Sequence, residues 1–240
     1  MSGDEPNRWW RAGLPLVLPL CRALFKIRSE GSERIPSRGP ALLAFDHVSV
    51  LDGPVLAIDV MRRTRRQTRF LVASEVFSTP LVGSILRRYE QIPIRRGEGD
   101  DAALEEAVLA VRGDALVAVA PEGRVSERPD GGLQRVRTGA ARIALASGAP
   151  LMPVGIWGTQ SRWGHAGLHS GRPIRPVVAL SIGEPLLPVG DVGDPAQVAA
   201  FTERIAEALA RQMDRARRLA GAPGRVGQDG GTFARRDPSV

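Results

Sequence analysis

The sequence predicts an α/β domain, a mainly parallel sheet flanked by helices, preceded by an amphipathic or interfacial N-terminal helix. Three observations carry that expectation. Short apolar runs alternate with helical patterns along the middle of the chain, the arrangement that builds parallel sheets with helices on their faces. Of the 240 residues, 43% are apolar, enough for one large core. Aromatic residues make up only 5%, so Ala, Val, Leu and Ile must build that core.

The N-terminal element is read from Trp9 and Trp10, flanked by Arg8 and Arg11, followed by an apolar stretch from Leu14 to Phe25. Pro15 and Pro19 lie inside the stretch and Arg22 interrupts it. A membrane-spanning helix needs about 20 apolar residues, and the flanks lack the small-residue cleavage site of a signal peptide. Two readings stand: a helix lying in the membrane interface, or a helix covering the core of the main domain.

Strands are expected at Ala41 to Phe45, Arg69 to Ala73, Ile92 to Ile94, Ala115 to Val119, Leu151 to Ile156 and Val177 to Ile182. Helices are expected at Pro54 to Arg63, Thr79 to Tyr89, Asp100 to Val111 and Thr138 to Ser147, the last closed by Gly148. A long final helix runs from Pro195 to Leu219. There Val198, Phe201, Ile205, Leu209 and Met213 recur at three and four residues, so one face packs inward. The tail is rich in Gly, Arg and Asp, has little to bury and is expected to be disordered. The organisation is therefore a membrane-interface segment over 1–30, a main domain over 31–220 and a tail over 221–240.

Lys and Arg number 33 against 26 Asp and Glu, a net charge of +7. Lys26 is the only lysine. An arginine-rich cationic protein favours anionic partners: lipid headgroups, nucleotide phosphates or nucleic acid. Arg62, Arg63, Arg65, Arg66 and Arg69 form a basic run with no interleaved aromatic residue, which favours acidic headgroups over nucleic acid. Cys21 is the only cysteine. It excludes an intrachain disulfide and a cysteine zinc site, and it fits a reducing cytosol.

The residues able to do chemistry fall at strand ends. His47 follows an apolar strand and precedes a helix, where α/β folds place their sites, and Asp52 lies five residues on. A carboxylate bonded to one imidazole nitrogen fixes the tautomer and leaves the other nitrogen to take a proton from an alcohol. Alone, the pair also reads as a half-buried histidine beside a helix-start aspartate. Pro121-Glu122-Gly123 makes a tight turn after the next strong strand, and Arg95 and Arg96 follow a short one, suited to phosphate. Ala149 to Ile156 is an apolar strand with prolines at its mouth.

In order and spacing, these blocks resemble the glycerolipid acyltransferase family, which includes the lysophosphatidate acyltransferases. Asp46-His47 to Asp52 matches its Asn-His-x-x-x-x-Asp block, and Ile92 to Arg96 its second block. Ala120 to Ser126 matches its Phe-Pro-Glu-Gly-Thr-Arg-Ser block, and Ala149 to Val154 its apolar fourth block. Asp46 replaces the usual Asn, and Arg124 stands one place before the usual Arg. The resemblance implies a 1-acylglycerol-3-phosphate O-acyltransferase-like enzyme with His47 and Asp52 catalytic. It implies that Arg96, Glu122, Gly123 and Arg124 bind substrate and that backbone amides after His47 hold the oxyanion. The implied partners are an acyl thioester donor, acyl-coenzyme A or acyl carrier protein, a phosphorylated lipid acceptor and an anionic membrane surface. No cofactor, metal or nucleic acid is implied, and the place is the cytoplasmic face of the cell membrane, peripheral or monotopic.

Two further patterns compete. Gly97-Glu98-Gly99-Asp100-Asp101-Ala102 resembles a dinucleotide loop, but its acids would repel a pyrophosphate. His165 and His169 have the spacing of a helical metal pair, but Gly164, Gly167 and Gly171 make that segment a loop.

Overall fold

The computed structural model describes residues 6–96, 99–127, 132–164, 167–168 and 175–222, and for Leu14, Leu16, Gly164, Gly167 and Leu168 only the backbone. His165, His169, Gly97, Glu98 and the tail from 223 lie outside the described residues.

The elements in chain order are α1 (Arg8–Leu24), β1 (Lys26–Glu30), β2 (Ala41–Phe45), α2 (Asp52–Thr64), β3 (Thr68–Ala73), α3 (Pro80–Arg88) and β4 (Ile92–Ile94). There follow α4 (Asp101–Arg112), β5 (Leu116–Val119), α5 (Gly139–Ser147) and β6 (Leu151–Trp157). The short pair β7 (Trp163–Gly164) and β8 (Gly167–Leu168), then β9 (Val177–Ile182) and α6 (Pro195–Leu219), complete the chain. Seven strands form one sheet in the order β1-β9-β6-β2-β5-β3-β4. Every pairing in it is parallel except β6 with β9.

Alternation along each strand divides the core in two. On β2, Ala41, Leu43 and Phe45 face one way and pack with Val55, Leu56 and Val60 of α2. Leu42 and Ala44 face the other way and pack with Ala107 of α4, Ala140 of α5 and Phe201 of α6. All five residues of β2 are buried, as expected of a central strand covered on both faces. The contact of α6 with β6 needs Gly155. A Cβ there would lie 2.1 Å from the backbone carbon of Gln212.

The expected strands and helices are present, with ends shifted by one or two residues. Three strands escaped the sequence reading: β1, and the short pair β7 and β8, which pair antiparallel in a segment read as a loop. Lys26–Glu30, placed with the N-terminal segment, pairs in parallel with β9 and forms a sheet edge. Its side chains alternate between exposed and half-buried, so it lacks the apolar run that marks the interior strands. Helix α1 has Asn7 as its cap, whose side chain accepts from the amides of Trp9 and Trp10. Pro15 and Pro19 sit inside it, leaving the carbonyls four residues earlier without helical donors. Trp10 is buried in the core beside Phe45 and Phe70, and its ring meets Tyr89 edge-on at 5.0 Å. Farther along, Val17, Leu20 and Leu24 are exposed. Among the described residues, no helix is long and apolar enough to cross a membrane.

Candidate active site

In a parallel sheet the strand ends lie together at one edge, where open α/β folds bind ligands. The C-terminal ends of β2, β5 and β4 therefore converge, and they carry His47, Glu122 and Arg96. Asp46 continues β2 by one residue. Its amide donates to the Val154 carbonyl of β6 at 3.3 Å, and its Oδ1 accepts the Ile156 amide at 2.6 Å. The side chain is fully buried, and Oδ2 has no hydrogen-bond partner. Burial, and then the nearby Asp52 carboxylate, hold Asp46 well above the ordinary carboxylate range. That direction favours the protonated carboxyl, which is close in shape to the asparagine it replaces.

His47 Nδ1 lies 3.0 Å from Asp52 Oδ2. The same oxygen accepts the amides of Val48 at 2.8 Å and Ser49 at 2.7 Å. The other oxygen accepts the Thr159 hydroxyl at 2.5 Å. Asp52 is fully buried, so its orientation is fixed from both sides. With Asp52 accepting at Nδ1, the proton sits there and Nε2 is the free base, with no partner among the described residues. Of the backbone amides after His47, those of Val48 and Ser49 are taken up by Asp52. The Gly53 amide, in the first turn of α2, has no acceptor among the described residues.

The turn after β5 grips His47 at both ends of its own backbone. Glu122 Oε1 accepts the His47 amide at 3.0 Å, and the Ser126 amide donates to the His47 carbonyl at 2.6 Å. Glu122 Oε2 accepts the Gln134 amide at 2.8 Å. Both oxygens of this buried carboxylate thus serve the backbone, so its visible work is to lock the two loops together. Burial pushes Glu122 up, against those two hydrogen bonds. Gly123 has a φ of +74°, a conformation that disfavours side chains.

These groups open onto a cavity of about 1280 Å³, above the usual ~300–1,000 Å³ of a small-molecule site. One wall is apolar: Trp10 and Val17 of α1, Ala57 and Ile58 of α2, Phe70 of β3, and Val82, Ile85 and Leu86 of α3. The other end carries Arg95, Arg96, Arg124, Arg135, Arg137 and Arg142. Arg96 and Arg124, read from the sequence as substrate-binding, both line it. Arg124 is engaged with Glu127 at 3.5 Å and Arg95 with Asp100 at 3.4 Å. Among the described residues no group of three or more His, Cys, Asp or Glu is arranged to hold a metal ion.

Sequence reasoning missed Thr159, Gln134, Arg135 and Arg137. Thr159 reaches Asp52 from 107 positions away, and no local pattern announces it. The other three lie just after the Pro-Glu-Gly turn, in a stretch with no secondary structure of its own.

The family model described as Acyltransferase matches residues 26–157. An uncharacterized protein of Mycobacterium leprae is 31% identical over 157 residues, 61% of this chain and 40% of that protein. The lyso-ornithine lipid O-acyltransferase of Pseudomonas aeruginosa is 30% identical over 155 residues, 62% of this chain and 52% of that protein. The chain thus spans about half or less of the length of these relatives. The crystal structure of the 1-acyl-sn-glycerophosphate acyltransferase of Thermotoga maritima superposes with a TM-score of 0.66 at 23% identity, over 85% of this chain and 80% of that one. At that identity the likeness speaks to the fold: a mostly parallel seven-stranded sheet flanked by helices.

Proposed function

Because the chain belongs to the acyltransferase family, matched across residues 26–157, we propose that it moves a fatty acyl group from a thioester donor to the hydroxyl of a lysophosphatidate-like acceptor. The observation that carries this reading is the His47–Asp52 pair, bonded at 3.0 Å, opening on a cavity with one apolar and one cationic side. An acyl chain suits the first side and a phosphate the second.

In this reading His47 Nε2 takes the acceptor's hydroxyl proton as the oxygen attacks the thioester carbonyl. The new C–O bond forms and the C–S bond breaks. The departing thiolate takes back the proton from the imidazolium, so no acyl-enzyme and no cofactor are required. Asp52 holds the tautomer and faces the transient positive charge. The free Gly53 amide, at the positive end of α2, is available to the developing oxyanion. Arg96, with Arg124 as a reserve, contacts the phosphate. Glu122 and Gly123 hold the loop that fixes His47.

Support for a place of action at the membrane comes from α1 and α3, which both line the cavity. Leu20 on α1 is 57% exposed and Leu81 on α3 is 72% exposed. Arg8, Arg11, Arg22, Arg87 and Arg88 lie on or beside the same helices. That combination suits helices seated in an anionic membrane interface, at the cytoplasmic face, where a lysolipid would enter from the bilayer.

The relatives' names leave two acceptor classes in view, a lysophosphatidate and a lyso-ornithine lipid. The phosphate reading is favoured because the cavity end is arginine-rich. The test is a panel of acyl-coenzyme A and acyl carrier protein donors against lysophosphatidate, lyso-ornithine lipid and glycerol 3-phosphate, with product mass and free thiol followed together. Lysophosphatidate should turn over best. His47→Ala and Asp52→Asn should each lower turnover by roughly two or more orders of magnitude with an unchanged circular dichroism spectrum. Near-normal turnover by folded His47→Ala protein would refute the mechanism.

A further inference from the structure

We propose that Arg135 and Arg137 form a second anion-binding subsite on the catalytic cavity, built for a phosphate group of one of the two substrates. The identity of those substrates rests on the acyl-transfer reading; the subsite does not. Both residues line the cavity. They are two apart in a stretch with no regular secondary structure, and both turn towards the cavity. Val136, between them, packs into the core instead.

The stretch is tied to the catalytic turn at two points. The Gln134 amide donates to Glu122 Oε2 at 2.8 Å, and the Arg137 amide donates to the Pro121 carbonyl at 2.9 Å. Glu122 holds the His47 amide with its other oxygen. One carboxylate therefore fixes the arginine stretch and the histidine relative to each other. The arm of Arg137 crosses the turn itself: a Cβ on Gly123 would lie 3.3 Å from Arg137 Nε and 3.5 Å from its Cδ. The glycine leaves room for that arm.

Charge completes the argument. Three arginines at this end of the cavity already have carboxylates: Arg95 with Asp100, Arg124 with Glu127 and Arg142 with Asp101. Both oxygens of Glu122 are occupied by backbone amides. Among the described residues, Arg96, Arg135 and Arg137 face the cavity with no carboxylate partner. A phosphate monoester brings nearly two negative charges and three acceptor oxygens, enough to engage Arg135 and Arg137 together through charge-assisted bonds.

The test uses the full chain and two probes, glycerol 3-phosphate for the acceptor and coenzyme A for the donor, with binding measured by titration calorimetry. Arg137→Ala should weaken one of them by about ten- to a hundredfold. Arg135→Ala should weaken the same one, and Arg137→Lys should keep most of the affinity as a point charge. Loss of glycerol 3-phosphate assigns the subsite to the acceptor, and loss of coenzyme A assigns it to the donor. In turnover, the matching Michaelis constant should rise with kcat within about twofold. Unchanged binding of both probes by the Arg135→Ala, Arg137→Ala double variant would overturn the proposal, as would a wild-type chain that binds neither. Arginine-dependent binding without acyl transfer would leave the subsite standing and remove the enzymatic reading.

Discussion

At the scale of single residues, Asp46 has the most consequence for how the site behaves with pH. Its carboxyl is fully buried next to His47, the proposed base, with one oxygen on the Ile156 amide and the other bare. Burial first, and Asp52 second, keep it protonated. The native state therefore holds a proton that the unfolded chain releases near pH 3.9. The stability this contributes is full below that pH and is lost as the pH rises towards the raised native value. Asp46→Asn removes that dependence without changing shape. Melting temperatures of the two proteins should draw apart above about pH 4, the variant becoming relatively more stable as pH rises. Glu122, also raised, acts in the same direction in both proteins, and its charge is one of the causes that raise Asp46. A difference that stays constant across the range would show that Asp46 is not held neutral. His47 and Asp52 were legible in the sequence because both lie on one local turn. Thr159 was not, since only the fold brings it to Asp52.

At the scale of elements, the interior strands were legible because burial on both faces writes itself as an apolar run. The edge strand β1 was not, since half its residues face water. For α1 the sequence left two readings open, and its contacts show a helix with two different parts. Its start packs on the domain through Trp10 and the hydrogen bonds of Asn7 to Gln67 and Arg88. Its later turns expose Val17, Leu20 and Leu24, and α3 exposes Leu81, Val82 and Ile85. Leu20 and Leu81 are the most exposed of these and do not line the cavity, so charging them costs little stability. Leu20→Asp and Leu81→Asp should each keep the wild-type melting temperature within a few degrees, the usual range for exposed positions. Both should lower co-sedimentation with anionic vesicles several-fold, because a carboxylate resists entry into the interface. Equal vesicle binding by the double variant would remove these helices from the membrane reading. A large fall in melting temperature would show that the side chains pack inside the protein.

At the scale of the whole molecule, composition gave the net charge of +7 but not its distribution, which the fold determines. Some of that charge lies beside the exposed apolar turns of α1 and α3, and some lines the cationic end of the cavity. If the proposed membrane contact is made, it has two components with different physics. The electrostatic component acts between exposed charges and is screened within a Debye length, about 10 Å at 0.1 M salt and about 3 Å at 1 M. The apolar component is unaffected by such screening and is strengthened, if anything, by salting-out ions. Binding to vesicles containing acidic lipid should therefore fall steeply between 0.1 and 1 M sodium chloride, which are trial conditions of that same screening range, and then level at a residual. Neutral phosphatidylcholine vesicles should show that residual at every salt concentration. Leu20→Asp should remove the residual while leaving most of the salt-sensitive part. Replacing Arg8, Arg11 and Arg22 by Gln should do the reverse. Binding that ignores both salt and acidic lipid would mean that the arginines serve the substrate cavity alone, with recruitment resting on apolar contact. Binding that vanishes entirely at high salt would mean that α1 and α3 lie against the surface without entering it. The two classes of variant, each measured at both salt levels, separate these outcomes.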